Sequence, residues 1–320
     1  MPKLQNTFSW SPSRHRMFDS CKRQYYYNYY GSWGGWYRDA DPEIQLLYRL
    51  KKITTIPQLV GTVVHEAISN ALKALQSGRD VPPQTVETYA RKLFDQNLQD
   101  SEQQRYLHSA SKYTNLFEHY YKESFTEADQ ANAADRIAEN LDAFFTSKPH
   151  SILQTTLPEH YLSIEKLTSF SLANTKLWVT LDVAVRHKGS IYVFDWKTGK
   201  EREADRHQLA VYALYATTEW GIPLSDLQLQ DVYLQVDTIS TVDLTPDDLD
   251  QTRTFVTESA ASMRGLLDDP EQNTASQDTF PMTDNTHTCT TCPFKAVCHP
   301  NQNPTDQPTT QQEPVQLSLF

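Results

Sequence analysis

The amino-acid sequence predicts an α/β fold, a mixed central sheet flanked by helices with a further helical region beside it. Three observations lead there. Residues 61–147 carry few Gly or Pro and return apolar side chains at helical spacing. From Leu157 the chain becomes rich in β-branched and aromatic residues. Beyond residue 160 the order reads strands, helix, strand, helix.

Taken in order, residues 1–60 combine helix-compatible stretches with a dense aromatic run: Tyr25, Tyr26, Tyr27, Tyr29, Tyr30, Trp33, Trp36 and Tyr37. So many rings cannot all stay in water, and most are expected in a core. The helical stretch then shows Val64, Ala67, Ile68, Ala71, Leu72 and Leu75 on one face. Strands are predicted over 161–164, 169–172, 176–186 and 190–196, with His187-Lys188-Gly189 turning the last two into a hairpin. A helix over 204–220, a strand over 227–236 and a helix begun by Thr245-Pro246 and running to about Leu267 complete the core. The polar Gln/Pro/Thr tract 301–314 is expected to be disordered. The chain thus divides at 1–60, 61–156, 157–268, 269–300 and 301–320.

With 320 residues, 38% of them hydrophobic, the chain can bury a sizeable core. A formal charge of −11 argues against a protein that coats nucleic acid. Charge is nevertheless uneven. Arg14, Arg16, Lys22, Arg23, Arg38, Arg49 and Lys51 make the first fifty residues basic, while 237–284 is acidic. No apolar run approaches the roughly 18 residues of a membrane span, and the N-terminus lacks the pattern of a signal peptide, so a cytoplasmic protein is expected. In that compartment four cysteines point to metal or cluster ligation rather than disulfides.

The chemistry gathers on the predicted hairpin. Asp182 lies near the end of one strand and Asp195-Trp196-Lys197 ends the next, with Thr198-Gly199-Lys200 leading into the following helix. Two carboxylates so placed suit one hard divalent cation, and the ammonium would stand beside the attacking water. His65, in Gly61-Thr62-Val63-Val64-His65, opens the first strong helix and offers a third ligand. Gln208 and Tyr212 are one helical turn apart on the helix after the hairpin and project together.

In this order, Gly-x-x-x-His, Asp, Asp-x-Lys-Thr-Gly and Gln-x-x-x-Tyr, the residues resemble the RecB-like branch of the PD-(D/E)xK nucleases over roughly residues 11–298. The resemblance implies a restriction-endonuclease-like core with Mg²⁺ or Mn²⁺ on His65, Asp182 and Asp195. It implies that Lys197 assists catalysis and that Gln208 and Tyr212 shape the site and contact DNA. Leu181 stands where the name-giving proline would be, at a position that performs no chemistry.

Cys289, Cys292 and Cys298 form C-x2-C-x5-C, and Cys21 lies far upstream. This arrangement resembles the cluster-bearing members of the same family, the AddB nuclease domain and the CRISPR adaptation nucleases. There four thiolates hold a 4Fe-4S cluster that ties the N-terminal segment to the C-terminus. By the residues alone, zinc is an alternative. In either case the site is expected to clasp sequence ends that otherwise share few contacts.

The terminal Gln316-Leu317-Ser318-Leu319-Phe320 looks like the bacterial sliding-clamp-binding peptide. Gln316 would fix register, while Leu317, Leu319 and Phe320 dock in an apolar pocket. Arg202, Arg206 and His207 beside Gln208 are candidate DNA contacts, as are Arg14, Arg16, Lys22 and Arg23. No phosphate-binding loop is present, so any unwinding would come from a separate helicase.

The resulting expectation is a metal-dependent DNA exonuclease or flap-processing enzyme acting on single-stranded ends. Its rivals are a structure-specific endonuclease or CRISPR spacer-acquisition nuclease, and a non-catalytic iron–sulfur scaffold tethered to the clamp.

Overall fold

Helices come first in the computed structural model, which describes residues 4–299. The tract 301–314 and the terminal pentapeptide lie outside the described residues. Ser11 opens α1 (Pro12–Ser20) by accepting from the Arg14 N–H, with Pro12 where no helical donor is needed. α2 (Lys22–Tyr26) passes into a wide π turn at Tyr27–Gly31, and α3 (Pro42–Lys51) leads to the short β1 (Ile53–Thr54).

A reciprocal Thr55–Gln58 capping box starts α4 (Ile56–Gln76). The helix therefore begins five residues before Gly61, and His65 sits in its middle rather than at its opening. α5 (Pro83–Glu102) follows, then β2 (Asn115–Leu116), which pairs in parallel with β1. α6 (Phe117–Tyr120), α7 (Glu127–Thr146) and α8 (Lys148–Gln154) end the helical region.

Five strands build the main sheet in chain order: β3 (Tyr161–Leu172), β4 (Thr175–His187), β5 (Ser190–Lys197), β6 (Leu227–Tyr233) and β7 (Thr238–Val242). β5 and β6 run parallel because α9 (Glu203–Glu219) crosses between them; the other neighbours are antiparallel. β3 is one strand where two short ones were predicted, its polar middle carried by pairing with β4. β6 stops at Tyr233, and Asp237, at φ 48°, turns the chain into the unpredicted β7. α10 (Pro246–Arg264), α11 (Thr286–Thr290) and α12 (Lys295–Cys298) are the last helices among the described residues.

Each face of the sheet has its own core. Leu177, Val179, Ile191 and Leu229 pack with α9, α10 and the N-terminal Trp10, Phe18 and Tyr25. On the opposite face Val183, Val185, Phe194 and Trp196 pack with α4, α5 and α7. The helical region thus shares a core with the sheet. Full burial of each such side chain contributes about 1.5–3 kcal/mol. Of the aromatic run, Tyr25 and Tyr27 are buried, Trp36 is exposed and the other rings are half-buried. No described helix is long and apolar enough to cross a membrane.

One irregularity decides where the site forms. Leu177, Val179 and Leu181 face the first core, yet Val183 and Val185 face the second, so the alternation of β4 inverts at Asp182. The register flanks this point with Ile164↔Val183 and Lys166↔Leu181, which sets Glu165 opposite Asp182. Glu165 itself has φ 47°, a left-handed conformation that residues with side chains rarely adopt. Both strands are therefore re-aimed at the same rung.

Candidate metal centre

Strand register assembles a row of carboxylates across four strands. Val183↔Phe194 places Asp182 opposite Asp195, and Asp195 pairs with Asp231 on β6. With Glu165, the row reads Glu165, Asp182, Asp195, Asp231. Asp182 lies well inside β4 rather than near its end, because the strand continues through the hairpin pairs of β5.

At one end of the row, α4 supplies His65. Its Nδ1 is 3.2 Å from Glu165 Oε1 and 3.5 Å from Asp182 Oδ2. Ligand atoms of His65, Glu165 and Asp182 all lie within 4.8 Å of one another. Gly61, one turn earlier on α4, faces Thr198, whose Oγ1 a Cβ there would meet at 3.1 Å. Asp182 Oδ2 also accepts the Trp196 N–H at 2.7 Å, which fixes the carboxylate's orientation.

Toward the other end sits Lys197, two residues beyond Asp195 and so on the same face of β5. Its Nζ lies 2.5 Å from Asp195 Oδ2 and 3.3 Å from Gln208 Oε1. Asp205 and Asp231 stand further off, each at 3.6 Å. Gln208 donates to Asp195 Oδ1 at 2.9 Å and to the Tyr212 hydroxyl at 2.6 Å; that hydroxyl donates to the Thr180 carbonyl at 2.6 Å. The one-turn spacing of Gln208 and Tyr212 thus becomes a bracket holding both oxygens' partners of Asp195 in place.

The electrostatics follow from crowding of acids away from water. Burial first, then the neighbouring Asp195, pushes Asp182 up to about 6 despite the opposing pull of His65. Burial likewise raises Asp231 to about 7, against Lys197. Burial opposes the charged form of His65, but Asp182 and Glu165 outweigh it and raise it well above its ordinary value. Lys197 is raised by the same competition, with Asp195 its strongest opponent to burial. Such a set has room for added positive charge. An imidazole with two carboxylates is a donor set that fits Mg²⁺ or Mn²⁺.

Of the sequence-predicted residues, His65, Asp182, Asp195, Lys197, Gln208 and Tyr212 come together. Glu165, Asp205 and Asp231 join them unpredicted. Several of the proposed DNA contacts are engaged within the protein. Arg206 reaches the Asp243 carbonyl at 3.4 Å and Asp248 at 3.6 Å, and His207 stacks on Phe255. The Arg202 N–H donates to Asp205 Oδ2 at the start of α9. Arg14 donates to Ser9 and lies over the Tyr29 ring, Arg23 donates to the Phe280 carbonyl and Lys22 lies over Phe18; Arg16 is exposed.

Cys21, Cys289, Cys292 and Cys298 line one cavity. Cys21 is buried and its Sγ accepts from the Gln24 N–H, capping α2. Burial pushes the Cys292 thiol up to about 12 and also raises Cys298. The expectation that the chain ends share few other contacts is corrected. Arg23 bonds to Phe280 and Pro281, Tyr27 packs on Phe294, and Lys295 pairs with Glu123 at 2.8 Å.

A mixed sheet bearing an imidazole, a row of acids and a lysine defines a candidate divalent-metal centre of the hydrolytic type. The family model of the PD-(D/E)XK nuclease superfamily matches residues 9–299, and the chain belongs to that superfamily. Membership implies metal-dependent phosphodiester hydrolysis with DNA as the substrate class. No curated protein matches the chain.

Proposed function

We propose that this chain is a divalent-metal-dependent DNA nuclease acting on single-stranded ends or flaps in repair, recombination or replication. The meeting of His65, Glu165 and Asp182 within 4.8 Å, on the same row as Asp195, supports it. These four residues would hold Mg²⁺ or Mn²⁺, which when bound supplies Lewis acidity toward a phosphate oxygen and activates water. Lys197 keeps a positive charge beside Asp195, where it stabilises charge developing on the phosphate. Gln208 and Tyr212 orient Asp195, and the Trp196 N–H orients Asp182.

The cysteines are assigned a 4Fe-4S cluster, with zinc the alternative; one shared cavity supports a single four-thiolate site. The raised thiols of Cys292 and Cys298 must lose protons on loading, so uptake is coupled to pH. Gln316, Leu317, Leu319 and Phe320 retain their assignment to a sliding clamp, and a separate helicase would supply unwound strands.

One experiment separates these readings. Anaerobically purified protein is incubated with Mn²⁺ or Mg²⁺ and end-labelled single-stranded, flap, junction and circular DNA, beside Asp195→Ala. Wild type is expected to shorten linear strands progressively while Asp195→Ala binds without cutting. Cutting confined to junctions or circles would establish the structure-specific endonuclease instead. Binding without any cleavage would establish the scaffold.

A further inference from the structure

Asp195 faces two demands at once. Its Oδ2 holds the Lys197 ammonium at 2.5 Å and its Oδ1 accepts from Gln208 at 2.9 Å. As a cation ligand it must share at least one of these oxygens, and its grip on the ammonium then weakens. A lysine head on a flexible four-carbon stem does not keep its place without another anchor.

That anchor is supplied by two residues with no part in the motifs. Asp231 pairs with Asp195 across the parallel β5–β6 register, and Asp205 stands at the start of α9. Both are buried, 2% and 4% exposed. Each presents its Oδ1 to Lys197 Nζ at 3.6 Å, just outside hydrogen-bond reach. Asp205 Oδ2 is already occupied by the Tyr233 hydroxyl at 3.1 Å and the Arg202 N–H at 3.0 Å, which aims Oδ1 at the ammonium. Asp231 Oδ1 is buried without a hydrogen-bond partner among the described residues. A small shift of the ammonium gives it one.

The geometry points to Asp205 and Asp231 as positioning residues that retain the Lys197 ammonium at the scissile phosphate when the divalent ion draws on Asp195. This rests on the nuclease reading. The two acids touch neither cation nor substrate; they act through Lys197. The row is thereby divided between two positive charges, with the divalent ion at the His65 end and the ammonium at the Asp231 end.

The test compares full-length Asp231→Asn, Asp205→Asn and Asp231→Glu with wild type. Cleavage of a short end-labelled single strand is followed in saturating Mn²⁺, and Mn²⁺ affinity is measured separately by calorimetry. The Asn variants are expected to lose about 10–100-fold in kcat, by analogy with the loss on removing a residue that holds a metal ligand in place. KM and Mn²⁺ affinity should stay within about twofold, and Asp231→Glu should recover most of the rate. Circular dichroism reports folding, and either folded Asn variant suffices. Wild-type kcat in the folded Asn variants, or a loss carried by KM or Mn²⁺ affinity, overturns the inference. A wild type that cleaves no DNA with either metal overturns the underlying nuclease reading instead.

Discussion

Gln208 donates to Asp195 from a neighbouring element, and the bond joins α9 to β5 at 2.9 Å. The same amide donates to Tyr212, whose hydroxyl is anchored on the Thr180 carbonyl of β4. Asp195 is thus braced from the neighbouring strand β4 and from α9, through side chains one turn apart.

Tyr212→Phe removes the anchor without changing the volume of the buried ring. Gln208 keeps Asp195 but loses its own restraint, and the half-buried Thr180 carbonyl loses the Tyr212 hydroxyl; a typical hydrogen bond contributes about 0.5–1.5 kcal/mol. The variant is expected to fold with a lowered melting temperature and to cleave about tenfold more slowly, with DNA affinity little changed. Single-turnover rates beside a filter-binding isotherm measure both. An unchanged rate would show that Asp195 needs no brace.

What was legible in the sequence is the part whose geometry is local. Asp195 and Lys197 share a face because strand side chains alternate, and Gln208 and Tyr212 share one because four residues make a helical turn. Glu165 and Asp231 are each a lone acid in sequence, and Asp205 is one of three acids in Glu201-Arg202-Glu203-Ala204-Asp205 with nothing to single it out. Only strand register, or the fold of α9 against β6, brings them to the lysine or histidine. Glu165 was hidden further, since its left-handed backbone and the inverted alternation at Asp182 break the periodicity on which strand reading depends. β7 was missed because Thr238–Val242 is short and mostly polar, with exposed residues along an edge strand.

The cysteine cavity yields a second prediction, and it is milder than the sequence alone suggests. Tyr27 against Phe294, Lys295 against Glu123 and Arg23 against Phe280 hold the C-terminal segment independently of any bound group. Cys292→Ser is therefore expected to remove visible absorption from an anaerobic preparation and lower the melting temperature, yet leave the main sheet folded by circular dichroism. Metal analysis of wild type separates iron with sulfide from zinc. An unchanged spectrum, metal content and melting temperature would remove the cysteines from any ligand role.

The centre also dictates how stability responds to pH and to cations. A carboxyl that titrates near 3.8 when unfolded is raised to about 6 at Asp182 and about 7 at Asp231. The fold therefore binds these protons more tightly than the unfolded chain does. In the cation-free protein their contribution to stability is fully present below about pH 4 and is lost as pH climbs through 6 and 7. His65, raised well above 6.5, acts in the same direction: its contribution is present below 6.5 and is lost as pH rises through its folded value. Mg²⁺ or Mn²⁺ stands in for the departing protons, so its stabilisation grows over the window in which they leave. At a cation concentration about a hundredfold above Kd, linkage supplies about 2.7 kcal/mol, a rise of roughly 5 °C in melting temperature for a chain of this size. The rise is expected at pH 8 and should nearly vanish at pH 5. Glu165→Gln removes one ligand oxygen's charge and should weaken cation affinity, shrinking the pH 8 rise at fixed concentration. Thermal melts with and without Mn²⁺ across pH 5–8 measure all of this. A cation effect independent of pH, or undiminished in Glu165→Gln, would place the bound ion away from His65, Glu165 and Asp182.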